Sequence, residues 1–305
     1  MSPLVSGLIP IAGSIAFGWL LRRSGLVRAE LWPAITRLAY QALLPAVLYV
    51  TLASTDYAGV PVGSFLGAMT LGFLAMAAIS LGAGLALPMG GPTLTSVFQG
   101  GLRINGFVVL ALAEAAFPPE GVVLVAIMFS VMVPLVNVLA VAVLTIFCRQ
   151  DRAPSVSRVL SRIATNPLIL GCLAGLAAAA FPVLRPAAVV ETASLVGRAA
   201  LPLILLTVGA SLDFAALRAA PALLALSVTL KLIVAPLVFW GLGAVFGVTG
   251  AALAALMAIG AAPCAASAYV LARELGGNAE LMAGHVTATT ILAFAALPFW
   301  LHLAA

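Results

Sequence analysis

The feature that most constrains this chain is a succession of apolar stretches, each about as long as a helix that crosses a bilayer. A spanning helix requires roughly 20 mostly apolar residues, and turn signals and charges divide the chain into about ten such stretches. Only 8% of its 305 residues are charged, against about 25% in soluble domains. The sequence therefore predicts an all-α polytopic membrane protein embedded in a lipid bilayer.

The predicted spans are residues 3–21, 33–54, 63–88, 93–117, 121–147, 167–184, 188–211, 219–246, 249–274 and 280–303.

Neither the N-terminal segment nor the spacing of the cysteines indicates another class of protein. No basic segment precedes the first apolar stretch, and Arg22 and Arg23 follow it, so we interpret it as a retained helix rather than a signal peptide. The absence of a transit segment favours a bacterial inner membrane. Cys148, Cys172 and Cys264 lack CxxC spacing, so we expect neither a disulfide framework nor a metal site.

The distribution of basic residues predicts the orientation, because short cytoplasmic loops are enriched in Lys and Arg. Alternate loops are basic, whereas the opposite loops hold little besides Arg185. Both termini are therefore expected on the non-cytoplasmic side. The net charge of +5 is interpreted as a topology signal and not as a nucleic-acid surface. The predicted cytoplasmic residues are Arg22, Arg23, Arg28, Arg149, Arg152, Arg158, Arg162, Arg218 and Arg273.

Self-comparison indicates an internal repeat at an offset of 157 residues. The alternative is chance similarity between Leu- and Ala-rich helices. Because each copy would hold five helices, an odd number, the second copy is expected to be inverted, as in many secondary transporters. The predicted parts are a first repeat at 1–148, a cytoplasmic loop at 149–165 and an inverted second repeat at 166–305. The aligned pairs are Pro45 with Pro202, Ala42 with Ala199, Ser54 with Ser211, Asp56 with Asp213, Pro10 with Pro167 and Gly18 with Gly175.

Equivalent interruptions are predicted in the fourth helix of each repeat. Pro263 lies deep in the ninth stretch, where a proline removes a backbone donor and clashes with the preceding turn. Its equivalent at the repeat offset is Gly106, in the glycine-rich and polar segment 100–106 (GGLRING). In inverted-repeat transporters such broken helices form the binding site near the midplane. We therefore predict a site where helices 4 and 9 cross.

An interrupted helix presents free N–H groups and a positive dipole end to an anion. Asn105 both donates and accepts hydrogen bonds, and Arg103 supplies a formal charge. Alternatively, Arg103 extends to the membrane interface or binds neighbouring carbonyls, and Tyr269 is only a packing residue. The candidate substrate-binding residues are Arg103, Asn105, Gly106, Pro263, Cys264, Ser267 and Tyr269.

Four other polar residues at membrane depth are candidates for ion coupling. For Lys231 and Glu114, pairing inside the protein or a position at the membrane interface is at least as consistent with the sequence as ion coupling. His285 titrates near neutral pH when it is unperturbed, although a lone histidine is more often a packing residue, and Asn137 is also consistent with a contact between helices. No cofactor is expected apart from a coupling ion, Na⁺ or H⁺.

Four segments together resemble the auxin efflux carrier family, which contains bacterial carriers and the plant PIN-type exporters. They are residues 166–171 (NPLILG), 200–203 (ALPL), 231–236 (KLIVAP) and 263–274 (PCAASAYVLARE). The likeness covers almost the whole chain. It departs from the plant pattern at Ile104, where the plant carriers have proline before the asparagine, and in its short central loop.

The resemblance implies a ten-helix fold with crossed helices 4 and 9, similar to bile-acid sodium symporters. It implies a scaffold of helices 1, 2, 6 and 7, a mobile transport unit of helices 3–5 and 8–10, a homodimer and an elevator motion. Its members are associated with small carboxylates or an indole carboxylate, so an organic anion is the expected substrate.

The predicted function is thus secondary transport of a small organic anion. The alternative is sodium-coupled symport, since broken backbones also coordinate Na⁺; a channel or sensor is less favoured. An intramembrane enzyme is not expected, because the sequence shows no paired aspartates at depth and no HExxH or GxSxG motif.

Overall fold

The computed structural model describes residues 3–148, 157, 161 and 164–304, and within this part of the chain every regular element is helical. The longer helices are α1 (Pro3–Arg23), α2 (Trp32–Leu38), α3 (Leu44–Ala53), α4 (Val62–Leu85), α5 (Gly91–Leu102), α6 (Gly106–Ala116), α7 (Pro119–Phe147), α8 (Pro167–Ala180), α9 (Ala187–Gly197), α10 (Ala200–Ala210), α11 (Pro221–Thr229), α12 (Ala235–Val245), α13 (Gly250–Ala261), α14 (Ser267–Glu274) and α15 (Ala279–Ala304).

The all-helical class predicted from the sequence is confirmed. Among the described residues, seven helical segments are long and apolar enough to cross a bilayer, and two shorter apolar helices, α8 and α13, occupy other predicted spans. The basic residues Arg149, Arg152, Arg158 and Arg162 lie outside the described residues. The count of ten spans remains a prediction.

Two π-helical turns precede prolines inside helical segments. Ala39–Leu43 ends two residues before Pro45, and Leu230–Val234 ends two residues before Pro236. A proline has no N–H for the carbonyl four residues earlier, and a π turn is one way to accommodate such a disruption. For Pro236 that carbonyl belongs to Leu232, and it accepts a hydrogen bond of 2.8 Å from Nε1 of Trp300.

Residues 1–60, 110–133 and 156–211 form one compact unit. In this first unit α1 packs against α10, and α3 packs against α8. Both contacts depend on glycine. A Cβ at Gly18 would overlap the Leu206 carbonyl, and a Cβ at Gly175 would lie 2.9 Å from the Tyr49 carbonyl oxygen. The helices therefore approach each other backbone to backbone at two places.

Arginines cap the carbonyl ends of two helices in this unit. Arg22 donates to the Ala210 carbonyl at the end of α10, and Arg185 donates to the Ala53 carbonyl at the end of α3, the second bond measuring 2.6 Å. The last carbonyls of a helix have no partner within it and carry partial negative charge. Each guanidinium thus satisfies a carbonyl and stabilises the negative end of the helix.

Residues 61–109, 134–155 and 212–305 form the second unit. Here α4 packs on α5 and α12, α12 packs on α13, and α15 contacts α5, α11, α13 and α14. Phe73 and Phe239 meet edge to face in its core, with ring centroids 5.3 Å apart. Both interrupted helices described below contribute to this unit.

The contact of α1 with α10 gives a matched test. Gly18→Ala should lower the free energy of unfolding by about 1–3 kcal/mol, because the added methyl overlaps backbone and forces the helices apart. Gly13 lies on the same helix with nothing within 4 Å of its Cβ position, so Gly13→Ala is the control. Thermal unfolding in detergent measures both, and equal midpoints would contradict the contact.

Candidate functional site

Two helical segments are interrupted, and both interruptions lie in the second unit. Residues 103–105 separate α5 from α6, and residues 262–266 separate α13 from α14. Arg103 has φ −76° and ψ 141°, and Ala262 has φ −61° and ψ 145°. Both are extended conformations, so the chain leaves the helical path abruptly in each case. The interruptions fall where the sequence predicted them.

Local chemistry accounts for each interruption. The residue before a proline is biased away from the helical region, which explains Ala262, and Pro263 supplies no amide to the preceding turn. At the other interruption, Oδ1 of Asn105 accepts the N–H of Val108 at 3.4 Å. An asparagine in this position is a favourable N-cap, so Asn105 starts α6 again without needing a proline.

The two interruptions are joined by a direct backbone hydrogen bond. The N–H of Asn105 donates to the Pro263 carbonyl at 2.7 Å. Asn105 is 3% exposed, and Gly106, Pro263 and Cys264 are also buried. The structure therefore brings these four predicted site residues together where the broken segments meet.

Helix α15 forms hydrogen bonds with both interrupted segments. The N–H of Cys264 donates to the Thr289 hydroxyl at 3.0 Å, and that hydroxyl donates to the His285 carbonyl. One turn earlier, Nε2 of His285 lies 2.9 Å from the Gly100 carbonyl oxygen. Because a carbonyl only accepts, this ring nitrogen carries the proton of the bond. Thr289 was not recognised from the sequence.

Arg103 is a buried cation, with 7% of its surface exposed. Its Nη2 donates to Oδ1 of Asn137 and to Oγ of Ser267, each at 3.1 Å. Ser267 is exposed and begins α14. Three predicted residues therefore meet in one polar cluster, in which protein encloses the guanidinium.

Lys231 is also buried, at 1% exposure, within the π turn. Its Nζ donates to the Gly260 carbonyl at 3.4 Å. Gly260 belongs to the last turn of α13, whose final carbonyls have no partner within the helix. A cation at a helix C-terminus interacts favourably with these carbonyls. Lys231 therefore supports the end of the interrupted helix.

The structure does not bring all the predicted residues together. Glu114 is exposed in the last turn of α6, two turns from the interruption. Tyr269 packs against the apolar cluster that contains Ala268 and Met282. Neither side chain contributes a described polar contact to the cluster around Arg103.

Comparison with known proteins fixes the class. The model of a family described as membrane transport protein matches residues 123–301. The chain belongs to this family, which is the auxin efflux carrier family. No curated protein matches the chain.

The match makes the chain a membrane transporter and an integral membrane protein. The family is one of transporters and not of enzymes. The matched part contains the second interruption, Lys231 and His285, whereas the first interruption lies outside it.

This transporter has further buried polar groups that the sequence analysis missed. Gln99 is fully buried, and within the described residues neither atom of its amide has a hydrogen-bond partner. Ser80 is also fully buried, and a Cβ at Gly101 would overlap its hydroxyl oxygen. The sequence could have indicated Gln99 as a site residue, because it lies one helical turn before Arg103. A buried amide of this kind is a natural place for a water molecule or a polar ligand group.

The transporter's crossing offers a stability test at Thr289. Thr289→Val should cost about 1–3 kcal/mol, because the buried Cys264 amide would lose its acceptor. Thr290→Val is the control, since the Thr290 hydroxyl only donates back to Val286 within its own helix. The unfolding midpoint in detergent should fall more for Thr289→Val. A larger fall for Thr290→Val would show that the Thr289 contact contributes little.

Proposed function

We propose that this transporter is a secondary carrier of a small organic anion, and that the anion binds beside the crossing of the two interrupted segments. The observation that carries the proposal is the buried Arg103 guanidinium, which reaches Ser267 at the start of α14. A cation at membrane depth is costly, and it usually marks a substrate or ion pathway.

The backbone around Arg103 favours an anion for a second reason. Helices α6 and α14 begin at the interruptions, so their N-termini carry partial positive charge there. Half-helix N-termini in other transporters point at anionic substrate groups. The Asn105 amide lies at the start of α6 and supplies further polar atoms. A carboxylate is the substrate group that best suits this combination of charge and donors.

Matching contacts support an inverted repeat. The contact of Gly18 with Leu206 and the contact of Gly175 with Tyr49 are related by the offset of 157 residues, with the two halves exchanged. The two carbonyls that the arginines cap, those of Ala53 and Ala210, are also 157 residues apart. This reciprocal pattern is what a pair of inverted five-helix repeats would produce.

The division into two units supports an elevator mechanism of alternating access. Such a mechanism requires one body that carries the site and a separate body that remains as scaffold. The residues of the crossing, with Arg103, Lys231 and His285, belong to the second unit, whereas α1, α3, α8 and α10 belong to the first. The first unit also holds most of α6 and the first half of α7, which the predicted transport unit had included. We propose that the second unit moves with the substrate.

The remaining proposals rest on the basic residues and on the family. We place the carrier in a bacterial inner membrane with both termini on the non-cytoplasmic side, because the basic residues alternate between loops. The family resemblance further leads us to propose a homodimer.

Sodium-coupled symport is the second candidate, and one observation favours it. Helices α5 and α13 end at the interruptions, and half-helix C-termini coordinate Na⁺ in other transporters. Imposed ion gradients distinguish this candidate from uncoupled or proton-coupled transport.

The direct test is uptake of radiolabelled malonate, malate and indole-3-acetate into liposomes that contain the purified protein. Saturable uptake of one acid, with counterflow against unlabelled acid, is expected of a carrier. Uptake should be measured with and without imposed Na⁺ and pH gradients. No uptake of any acid by folded protein would refute the proposed substrate class, and uptake without counterflow would indicate a channel.

Asn105→Ala should abolish this uptake while leaving expression and oligomeric state unchanged, because the site would lose a buried amide beside Arg103. Gln41→Ala is the matched control, since Gln41 is an amide in a membrane segment but is exposed. Initial uptake rates and size-exclusion profiles measure the two effects. Wild-type uptake by Asn105→Ala would remove Asn105 from the site.

A further inference from the structure

The carbonyl ends of both interrupted helices already have basic partners. His285 lies on the Gly100 carbonyl near the end of α5, and Lys231 donates to the Gly260 carbonyl near the end of α13. Both side chains are 1% exposed. In carriers with broken helices, such carbonyl ends are where a metal cation or a proton binds.

The charge around Lys231 is not balanced by a buried carboxylate in the described part of the second unit. Its described acidic residues, Asp213, Glu274 and Glu280, are all exposed. The titratable side chains near Lys231 are Cys264 and His285. The described partner of the ammonium is therefore the backbone carbonyl of α13, the kind of oxygen ligand that Na⁺ also prefers.

We propose that the Lys231 ammonium is a built-in cation, occupying at the carbonyl end of α13 the place that Na⁺ takes in sodium-coupled carriers. A tethered cation cannot dissociate, so binding and release of Na⁺ cannot drive transport through this position. Because His285 likewise contacts the carbonyl end of α5, we expect transport that does not depend on Na⁺, in contrast to the sodium-coupled candidate. The inference deepens the proposed function and rests on it for its transport readout.

Removing the tethered cation should create a requirement for a free one. Lys231→Ala leaves the Gly260 carbonyl without a partner and opens a space next to it. Na⁺ or methylammonium can fill this space, whereas the bulky N-methylglucamine cation cannot. Lys231→Met is the control, because it removes the charge but keeps most of the volume and leaves no room for an ion.

Carboxylate uptake by wild-type protein should be unchanged when N-methylglucamine replaces Na⁺ on both sides of the liposome. In N-methylglucamine, Lys231→Ala should lose at least about tenfold in uptake, equivalent to about 1.4 kcal/mol. Addition of Na⁺ or methylammonium should restore most of the loss. Lys231→Met should be impaired and should not recover with either ion.

Thermal unfolding of the purified proteins gives a readout that does not require a known substrate. Na⁺ or methylammonium should raise the midpoint of Lys231→Ala, because a ligand that binds only the folded state stabilises it. Neither ion should raise the midpoint of the wild type or of Lys231→Met. If none of the carboxylates is taken up, the proposed substrate class fails, while this measurement still decides the role of Lys231.

Three results would overturn the inference: wild-type uptake that requires Na⁺, undiminished uptake by Lys231→Ala in N-methylglucamine, or equal responses of Lys231→Ala and Lys231→Met to the added ions. If Lys231→Ala does not fold, Lys231→Ser offers a small polar side chain at the same place and should show the same dependence on cations.

Discussion

The structure depends on one requirement, that backbone polar groups at membrane depth find partners within the protein. A continuous helix would satisfy this requirement most simply, but two helical segments are interrupted. The protein satisfies part of the exposed backbone by hydrogen bonds between the two interruptions. The Asn105 N–H binds the Pro263 carbonyl, and the Cys264 N–H binds the Thr289 hydroxyl. Each interruption thus supplies part of what the other lacks. The two segments therefore depend on each other and on α15 for their backbone partners.

The same requirement organises the charges. Helix C-termini carry free carbonyls and partial negative charge, and here basic side chains satisfy them in both units. Arg22 and Arg185 bind the last carbonyls of α10 and α3, while Lys231 binds the Gly260 carbonyl of α13. With the negative end of α13 neutralised, the positive N-termini of α6 and α14 and the Arg103 guanidinium dominate at the crossing. This imbalance is the physical reason to expect an anionic substrate.

Much of this arrangement was accessible from the sequence. Hydrophobic length predicted the helices, and Pro263 with the segment around Asn105 predicted both interruptions, because proline and capping chemistry act locally. The partners of the interruptions were not predictable, since Thr289 and His285 are distant in sequence from both. The sequence marked His285 as a polar residue at membrane depth but did not show which carbonyl it contacts, and Thr289 looks like an ordinary residue of an apolar helix. The roles of Lys231 and Arg103 stayed ambiguous for a similar reason. A sequence shows that a charge lies at membrane depth, but only the fold shows which carbonyl or side chain it meets.

The position of Lys231 follows from a proline in the same segment. Pro236 cannot satisfy the Leu232 carbonyl, and a π turn begins at Leu230 to accommodate it. A π turn holds more residues per turn than an α-helix, so it alters the direction of every side chain that it contains. Trp300 satisfies the Leu232 carbonyl from α15, and Lys231 in the same π turn donates to the Gly260 carbonyl. The cation at the end of α13 is therefore placed by a π turn that precedes Pro236, and Pro236 itself packs against Gly260. The family match covers these residues.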